Sequence, residues 1–553
     1  MPANRSELTA TALLVRCLAA TLMLAPAANA AAQDAGDRDR AVALYDEIRE
    51  GGTDALPAAL DRAATRGSLS LDLLLVLGSM LHWTSQGPAA VAVLERATAT
   101  EPGSARAWKD LGDARAMTAD AEAALAAYRR AAETAPSDPA LDAEARERLA
   151  RSARRHALLV ERAGLYAAAA GAYRQPSGET WILRYDPYLA LFPTLLVVGT
   201  GEYRVLRPTD DPRTLDYATD DGPGSVELVS GAEPHLRWTP PGGTEQSASL
   251  VPIDVRSVTV DRPGGPLSGT LLVPAAAGSR AGIALLHGGG LLSRYHVMNE
   301  AWVFAAHGLA AVVWDKRGTG RSTGVDWTRV GFDALVEDAS AMVERLRAEA
   351  EVDPERVGLW GHSQGGWHAP LLAARDPRIA FAILASGPAT SVHRQFIDGM
   401  AARMRAESRE GAHIAAAVGY MERLFAEIRA GASVGDLGPL IAEAGAAPWS
   451  DAVMKPELAF EPRWWRENDF DPESTLRALR TPVLAIFGAR DDVVPVATNA
   501  PAMTSFLAEA PVDDFTVQVI PGADHSLAMA DDRVSPIYLR AMVDWLAARG
   551  FTE

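Results

Sequence analysis

The sequence predicts a multi-domain protein in which a doubly wound, mostly parallel α/β sheet follows an all-α array and a small β-rich region. Before about residue 160 the chain is rich in Ala, Leu, Arg and Glu with a helical period. Short β-type runs separated by Gly, Pro and Asp follow, up to about residue 251. From residue 252 onward, apolar strand runs alternate with helical patterns, as in doubly wound folds.

Length and composition limit the number of domains and the kinds of partner. The chain has 553 residues, 48% of them hydrophobic, which is room for about two to four globular domains. Its 53 basic and 71 acidic side chains give a formal net charge of -18. Because such a surface repels phosphate backbones and anionic lipids, we expect no nucleic-acid partner.

The first thirty residues have the pattern of a secretory signal. Arg5 supplies an early positive charge, an apolar stretch interrupted by Arg16 covers 9–25, and Ala-Asn-Ala at 28–30 offers a cleavage site. The apolar run is shorter than the roughly 18 residues of a membrane span. We therefore expect residues 1–30 to be removed on export, a secreted or periplasmic location in a bacterium, and no membrane span in the mature chain.

The only cysteine, Cys17, lies inside this segment. Once the segment is removed, the mature chain has no thiol, and we expect neither a disulfide nor a cysteine metal ligand.

Residues 31–160 contain an internal repeat. One unit carries small and large residues at fixed offsets: Trp108, Leu111, Gly112, Ala124, Tyr128, Ala131 and Pro136. The same offsets recur about 34 residues earlier, at Leu74, Leu77, Gly78, Ala90, Leu94, Ala97 and Pro102. A third, degenerate unit covers 37–68, with Leu56, Leu60 and Ala63 at matching places.

The repeat resembles a short tetratricopeptide array. That resemblance implies a groove for a protein or peptide partner, and the pattern is equally compatible with a structural support or a homodimer contact. Stable arrays need about three units or a cap, so we expect this one to lean on its neighbour.

Residues 161–251 predict an antiparallel meander that carries no catalytic constellation, and we interpret it as a spacer or a substrate-side wall. Its clearest strand runs are 180–185, 195–198, 203–206 and 225–228.

Residues 252–553 open with a predicted hairpin, 255–260 and 267–273. The continuous apolar runs that follow are typical of buried parallel strands, at 282–286, 310–314, 356–360, 379–385, 483–487 and 515–520. A mostly helical insert, 388–475, replaces a connection that needs only about two to six residues. We interpret it as a helical cap that forms a binding wall over the site, although its aromatic residues could simply pack the cap's own core.

A candidate nucleophile lies in Gly361-His362-Ser363-Gln364-Gly365-Gly366, between a strand run and a helical pattern. A Gly-x-Ser-x-Gly sequence in a strand–turn–helix setting predicts a nucleophile elbow, which lifts the serine hydroxyl clear of the sheet.

A serine nucleophile needs a base and a group that orients the base. The adjacent carboxylates Asp491 and Asp492 follow the strand run 483–487, and His525 follows the last strand run in Pro-Gly-Ala-Asp-His. The order Ser, Asp, His agrees with the order expected for an elbow-type nucleophile.

Two backbone N–H groups are candidate oxyanion donors: that of Gln364, directly after the nucleophile, and that of Gly289, in the glycine-rich loop after the 282–286 strand. We expect His287, His362 and His368 to brace this region. No His-Glu-x-x-His sequence and no cysteine pair occurs, so we predict neither a metal nor another cofactor. For Arg317 a structural ion pair is favoured over a contact with a substrate carboxylate.

The segments LLHGGG, WDKRGTGRS, GHSQGGW, FGARDDVVP and PGADHS together resemble the α/β-hydrolase superfamily, over a little more than half of the chain. GHSQGGW and DKRGTGRSTG are similar to a bacterial branch that mixes carboxylesterases, acyl-transfer enzymes and serine aminopeptidases. The resemblance favours Asp491 over Asp492, because Asp491 lies three residues after Gly488. It implies acyl-enzyme hydrolysis by Ser363, Asp491 and His525, without a cofactor.

The predicted substrate is a small or medium ester, with a short peptide as the alternative. Leu-Leu-Ser-Arg after the three glycines departs from hormone-sensitive-lipase relatives, so their substrate preference is not carried over. A peptidase of the aminopeptidase or prolyl-oligopeptidase kind is the second hypothesis. A binding protein with a degenerate hydrolase domain is the third, and a thioesterase is less favoured because its usual coenzyme A substrates are intracellular.

Overall fold

The computed structural model describes residues 35–51, 55–65, 69–83, 86–186, 190–219, 221–275, 278–290, 292–325, 327–454 and 462–552. The predicted signal segment, 1–30, lies outside the described residues.

Helices make up the N-terminal part. They are α1 (Ala35–Gly51), α2 (Leu56–Thr65), α3 (Leu71–Trp83), α4 (Gly87–Thr100), α5 (Ala105–Met117), α6 (Ala121–Thr134), α7 (Ala143–Glu161) and α8 (Ala163–Ala169). Ser104 and Asp120 cap α5 and α6 by accepting hydrogen bonds from backbone N–H groups of the first turn. Helical structure therefore continues to Ala169, beyond the predicted boundary at residue 160.

The two clearest repeat units make the same close contact. A Cβ added at Gly78 would lie 2.6 Å from the Leu94 side chain, and one at Gly112 would lie 2.6 Å from the Tyr128 ring. Glycine is thus required at both positions because the second helix of each pair presses a large side chain against the first. The helix pairs agree with the predicted period, and the tetratricopeptide assignment itself stays a prediction.

A nine-stranded antiparallel sheet follows the helices. Its strands are β1 (Gly171–Arg174), β2 (Thr180–Asp186), β3 (Ala190–Val197), β4 (Glu202–Val205), β5 (Arg207–Pro208), β6 (Thr214–Thr219), β7 (Gly222–Val229), β8 (His235–Thr239) and β9 (Gln246–Leu250). Their order is β4-β3-β2-β1-β9-β8-β7-β6-β5, an up-and-down arrangement in which every recorded strand pair is antiparallel.

Both faces of this sheet are buried where it meets its neighbours. Trp181 and Leu183 share a core with Tyr128 and Leu159 of the helical region. Ile182, one residue out of phase with them, belongs to the core of the C-terminal domain. The two-residue period of a strand sends alternate side chains to opposite faces, so the sheet joins the helical region to the C-terminal domain.

The C-terminal domain is built on an eight-stranded sheet. Its strands are β10 (Ile253–Val260), β11 (Leu267–Pro274), β12 (Arg280–Leu286), β13 (Ala310–Trp314), β14 (Val352–His362), β15 (Ile379–Ala385), β16 (Val483–Gly488) and β17 (Phe515–Ile520). They lie in the order β10-β11-β13-β12-β14-β15-β16-β17, and the pairs from β13 to β17 are parallel.

Helices cover both faces of this sheet and form the insert above it. They are α9 (Met298–Ala306), α10 (Phe332–Arg347), α11 (Gly365–Arg375), α12 (Val392–Ala406), α13 (Gly411–Ala430), α14 (Gly438–Gly445), α15 (Pro462–Glu467), α16 (Glu473–Ala478), α17 (Val496–Glu509) and α18 (Pro536–Ala547). Helices α9 and α18 share one core with the sheet, and α10, α11 and α17 share the other. Every residue of β12, β13 and β16 is consequently buried.

Helices α12 to α16 occupy the predicted insert, 388–475, and helical structure continues slightly beyond it, to Ala478; its role as a cap stays a prediction. Several of its aromatic residues contact one another: Phe425 and Phe396 each contact Trp465, and Tyr420 contacts Trp449. These rings therefore pack the cap's own core, as the alternative interpretation holds. No helix within the described ranges is long and apolar enough to cross a membrane.

Candidate active site

The Gly-x-Ser-x-Gly sequence forms the sharp turn between β14 and α11. Ser363 has a φ of 52°, in the left-handed region that residues with a Cβ rarely adopt. A Cβ at Gly361 would lie 2.2 Å from the Gly365 carbonyl oxygen, and one at Gly365 would lie 2.5 Å from the Leu286 carbonyl oxygen. Only glycine fits at these two positions, because the turn presses its own backbone together and against the end of β12.

The structure brings the predicted nucleophile and base together. His525 lies in the loop after β17, and its Nε2 is 3.0 Å from the Ser363 Oγ. The other ring nitrogen, Nδ1, lies 2.8 Å from Oδ2 of Asp491. The imidazole thus bridges a hydroxyl and a carboxylate that are far apart in sequence.

The carboxylate that pairs with His525 belongs to Asp491, whereas the neighbouring Asp492 is exposed. The Asp491 side chain is fully buried, and its Oδ1 accepts hydrogen bonds from the backbone N–H groups of Val493 (2.9 Å) and Val494 (2.7 Å). These bonds fix the second oxygen, Oδ2, toward the imidazole.

Nearby charges make His525 a stronger base. Burial lowers the pKa of His525, but the charge of Asp491 and its hydrogen bond, with smaller contributions from Asp524 and Asp492, raise it, and the pKa ends above the usual 6.5. The group is therefore suited to accept a proton near neutral pH.

The loop that carries His525 is held by a strand connection of the nine-stranded sheet. The Val534 N–H donates to the Gly201 carbonyl oxygen (3.0 Å), and Ser535 N–H donates to Leu527 within the same loop. Gly201 has a φ of 70°, and a Cβ there would lie 1.8 Å from the Val534 carbonyl oxygen. The sheet was predicted as a spacer or wall; this contact adds that it braces the loop of the base.

The two predicted oxyanion donors come from two different loops. Gln364 is the residue before the first turn of α11, where helix N–H groups have no partner within the helix. Gly289 follows β12, and a Cβ there would meet no protein atom within 4 Å. Packing therefore does not require glycine at position 289, and the space beside it is open to a ligand.

The remaining histidines of this region are buried and neutral. Burial lowers the pKa of His287 and of His362 to about 3 in each case; the charge of Lys316 lowers that of His287 further, and the positive charge that His525 carries when protonated lowers that of His362. His287 Nε2 hydrogen-bonds the Trp314 carbonyl oxygen, and His362 Nε2 hydrogen-bonds that of His525 (3.1 Å). They brace the strand ends, as predicted.

His368 is also buried, and it packs against Phe332 with ring centroids 4.4 Å apart. Burial places its pKa well below 6.5. Within the part of the chain that the structure describes, no group of three or more His, Cys, Asp or Glu residues could hold a metal ion.

Arg317 forms the predicted structural ion pair. Its guanidinium donates two hydrogen bonds to Asp338 of α10, at 2.6 and 2.7 Å, and both side chains are buried. The preference for a structural role over a substrate contact is confirmed.

The neighbouring residue, Lys316, contacts the site although no sequence signal marks it. Its Nζ donates to the Gly288 carbonyl oxygen (2.6 Å) and to the Gln364 side-chain oxygen (2.9 Å). It also lies 4.3 Å from the centre of the Trp327 ring. A basic residue in a charged loop is usually solvent-exposed, so composition alone could not reveal these contacts.

Comparison with known proteins locates the family resemblance in the same domain. Residues 277–423 match the family model described as serine aminopeptidase, S33. The matched segment contains Ser363 and Gly289, whereas Asp491 and His525 lie outside it.

Two curated relatives and one solved structure illustrate what the chain is similar to. It is 34% identical over 122 residues to the quorum-quenching protein AidA of Acinetobacter baumannii, a match that covers 22% of this chain and 38% of that protein. It is 27% identical over 265 residues to the thiohydrolase aneE of Aspergillus aculeatus, covering 44% and 78%. The Pyrococcus furiosus esterase Pf2001 superposes with a TM-score of 0.36 at 16% identity, covering 54% and 90%.

The first of these matches spans well under two thirds of the relative's length. The parallel sheet, the elbow turn and the family-model match nevertheless agree on the fold. The C-terminal domain has the α/β-hydrolase fold.

Proposed function

We propose that this chain is an exported serine hydrolase that cleaves a carboxylic ester through an acyl-enzyme intermediate. The observation that carries the proposal is the position of the His525 ring, 3.0 Å from the Ser363 hydroxyl and 2.8 Å from the Asp491 carboxylate. This arrangement supplies the nucleophile, the base and the group that orients the base.

In the proposed reaction, the Ser363 Oγ attacks the ester carbonyl carbon while His525 Nε2 takes its proton. The N–H groups of Gln364 and Gly289 donate to the resulting oxyanion. The protonated His525 then gives its proton to the departing alcohol, which leaves an acyl group on Ser363. His525 then takes a proton from water, which attacks the acyl carbonyl carbon, and gives that proton to the Ser363 Oγ as the acid leaves; throughout, His525 Nδ1–H donates to the Asp491 carboxylate.

Two other substrate classes share this chemistry. The matching family model is named for a serine aminopeptidase, so a short peptide is the second candidate substrate. One relative is named a thiohydrolase, so a thioester is the third candidate substrate. The resemblance does not fix the leaving group. We place an ester first because a small or medium ester needs no dedicated amine-binding site.

The proposal includes export of the mature chain to the periplasm or the medium, which follows from the pattern at 1–30. Detection of a processed N-terminus after residue 30 in the secreted or periplasmic fraction would support it. Retention of the unprocessed chain in the cytoplasm would contradict it.

The test compares matched substrates on the purified protein without residues 1–30. Initial rates are measured with a short-chain nitrophenyl ester, an aminoacyl nitroanilide and an acyl thioester, with Ser363→Ala as the control. Ester turnover that disappears in Ser363→Ala, without anilide turnover, supports the esterase. Because serine peptidases also cleave activated esters, anilide turnover would make the chain a peptidase.

Labelling with a fluorophosphonate addresses the third hypothesis, a partner-binding protein with an inactive hydrolase domain. The proposal expects labelling at Ser363, lost in Ser363→Ala. An unlabelled and inactive wild-type chain would instead leave the helical region as the functional part, with a groove or a structural support as its role.

A further inference from the structure

Lys316 places a positive charge inside the oxyanion region. Its side chain is buried, with 4% of the residue exposed, and follows β13 at the carboxyl edge of the parallel sheet. Its Nζ donates to two groups that come from different loops, the Gly288 carbonyl and the Gln364 side chain.

One contact reaches Gly288, the residue before a predicted oxyanion donor, and the other reaches the side chain of Gln364, which is itself a predicted donor. The Gly288 carbonyl belongs to the same peptide unit as the Gly289 N–H, so the ammonium at 2.6 Å polarises that amide and makes its N–H a stronger donor. The Gln364 side chain, held at 2.9 Å, belongs to the residue whose backbone N–H is the other donor. One ammonium therefore links the two loops that carry the donors.

The surroundings keep this charge effective. Burial, and after it the charge of Lys316, lowers the pKa of both His287 and His368, so these two imidazoles favour the neutral form. The Trp327 ring covers the ammonium at 4.3 Å. A cation enclosed by protein is screened little by solvent, and it favours negative charge that develops nearby.

We propose that Lys316 is a positioning residue of the oxyanion site: it fixes and polarises the donors at Gly289 and Gln364, and thereby stabilises the tetrahedral intermediate more than the bound substrate. The inference rests on the proposed serine-hydrolase function. It assigns Lys316 no contact with the substrate and no proton transfer.

The central variant is Lys316→Met, which keeps the length of the side chain and removes the charge. Losing a whole oxyanion donor lowers kcat by about 10²–10³-fold; loss of its support should lower kcat by roughly 10- to 100-fold, with KM changed less than about twofold. Lys316→Arg, which keeps a cation, should recover part of the loss. Lys109→Met serves as the matched control, since Lys109 is a half-buried lysine paired with Asp113 in α5 of the helical region.

A second readout separates this role from simple loss of structure. A trifluoromethyl ketone forms an anionic tetrahedral adduct with a serine nucleophile, whereas the corresponding methyl ketone binds mainly unreacted. Lys316→Met should weaken inhibition by the trifluoromethyl ketone by about the same factor as kcat and leave inhibition by the methyl ketone unchanged. A carbon-13 label at the ketone carbon should show the adduct ionising at higher pH in the variant.

The outcomes distinguish this inference from the proposed function. A wild-type chain that neither reacts with fluorophosphonate nor turns over any substrate would overturn both. An active wild type with unchanged kcat and trifluoromethyl ketone inhibition in Lys316→Met would overturn only the role of Lys316, as would equal weakening of both ketones.

Should Lys316→Met fail to fold by circular dichroism, Gln364→Met carries the test. That variant keeps the backbone donor and the lysine and removes one of the two contacts. It should give a smaller but still selective loss of trifluoromethyl ketone inhibition, and unselective loss would count against the proposal.

Discussion

Ser363 and its neighbours illustrate how single residues determine the site. The serine is held at a φ of 52° because Gly361 and Gly365 let three backbone segments approach more closely than a Cβ permits. Such strain persists only when the surrounding structure enforces it. In this conformation the Ser363 Oγ lies 3.0 Å from Nε2 of His525, which is proposed to deprotonate it.

The negative charge of Asp492, next to Asp491, should affect the pH dependence of kcat/KM. As the proposed base, His525 must be neutral to accept a proton, so kcat/KM is expected to fall as pH decreases through a pKa that lies above 6.5. Asp492 is exposed and raises that pKa through its charge. Asp492→Asn should therefore move the acid limb of the pH profile to lower pH while keeping most of the maximal activity.

Asp531→Asn offers a matched control, because Asp531 is an acidic residue of the loop that carries His525, and its carboxylate pairs with Arg533. A limb that stays in place in Asp492→Asn, or shifts equally in both variants, would contradict the electrostatic argument. Asp491→Asn should instead lower kcat by about 10⁴-fold, as in other serine triads.

Gly289 allows a test of the oxyanion loop that separates activity from stability. An added methyl group meets no protein atom within 4 Å, and the φ of this glycine is not positive. Gly289→Ala should leave the melting temperature within experimental error, since substitutions without contacts change stability by less than about 0.5 kcal/mol. It should lower kcat/KM by roughly tenfold or more because the methyl group occupies space beside the proposed donor. Unaltered kcat/KM would mean that the substrate oxygen binds elsewhere.

At the scale of helices and strands, the strands that were easiest to predict are those whose two faces are both buried. The strands Ala310–Trp314 and Ile379–Ala385 are continuous apolar runs between helices, and their predicted ends agree with the structure. Strand Gln246–Leu250 is mostly exposed and polar, so it carries no hydrophobic alternation that a sequence could reveal. Ser363 and Asp491 were predictable because each follows a strand that ends in a buried apolar run, whereas His525 follows a strand of which only Ile520 is buried and was found from its Pro-Gly-Ala-Asp-His sequence.

The positions of supporting contacts were not predictable in the same way. Lys316 donates to a backbone carbonyl and an amide side chain, and every residue has a carbonyl. Likewise, the bond between Gly201 and Val534 is a main-chain contact with no side-chain signature. Contacts of this kind depend on how whole domains pack, and local patterns do not encode them.

The repeated glycine of the helix pairs should be sensitive to a single added methyl group. Gly112→Ala would place a Cβ 2.6 Å from the ring of Tyr128, whose hydroxyl donates to the Asp113 carboxylate at 2.7 Å. Overpacking of about 1–3 kcal/mol should outweigh the gain of up to about 1 kcal/mol from alanine in a helix. The thermal transition of the helical region should therefore move to lower temperature.

Gly164→Ala is the control for that measurement, since Gly164 lies in α8 with no atom within 4 Å of an added Cβ. It should leave the transition in place or raise it slightly. Equal behaviour of the two variants would show that the helix pairs are loosely packed.

For the whole molecule, the nine-stranded sheet determines how the parts depend on one another. Its alternate side chains enter the core of the helical region and the core of the hydrolase domain. Removing the sheet would expose both cores, so we expect residues 252–553 expressed alone to aggregate or to lose activity. The region that the sequence analysis interpreted as a spacer or a substrate-side wall thus packs against both of its neighbours.

Gly201→Ala tests whether the sheet supports the base. The added Cβ would lie 1.8 Å from the Val534 carbonyl oxygen, so the loop of His525 must move. We expect kcat to fall at least tenfold while fluorophosphonate labelling becomes slower. Gly242→Ala provides the matched control, because Gly242 also has a positive φ, 63°, but an added Cβ there meets nothing. Similar losses in both variants would attribute the effect to backbone strain alone.

The bond from the Val534 N–H to the Gly201 carbonyl has a consequence for how the protein opens. That amide can exchange its hydrogen with solvent only when the His525 loop separates from the sheet connection. Its exchange rate therefore reports the fraction of time during which the proposed base is displaced. Openings that separate the His525 loop from the sheet should therefore abolish the proposed activity well before either half of the molecule unfolds.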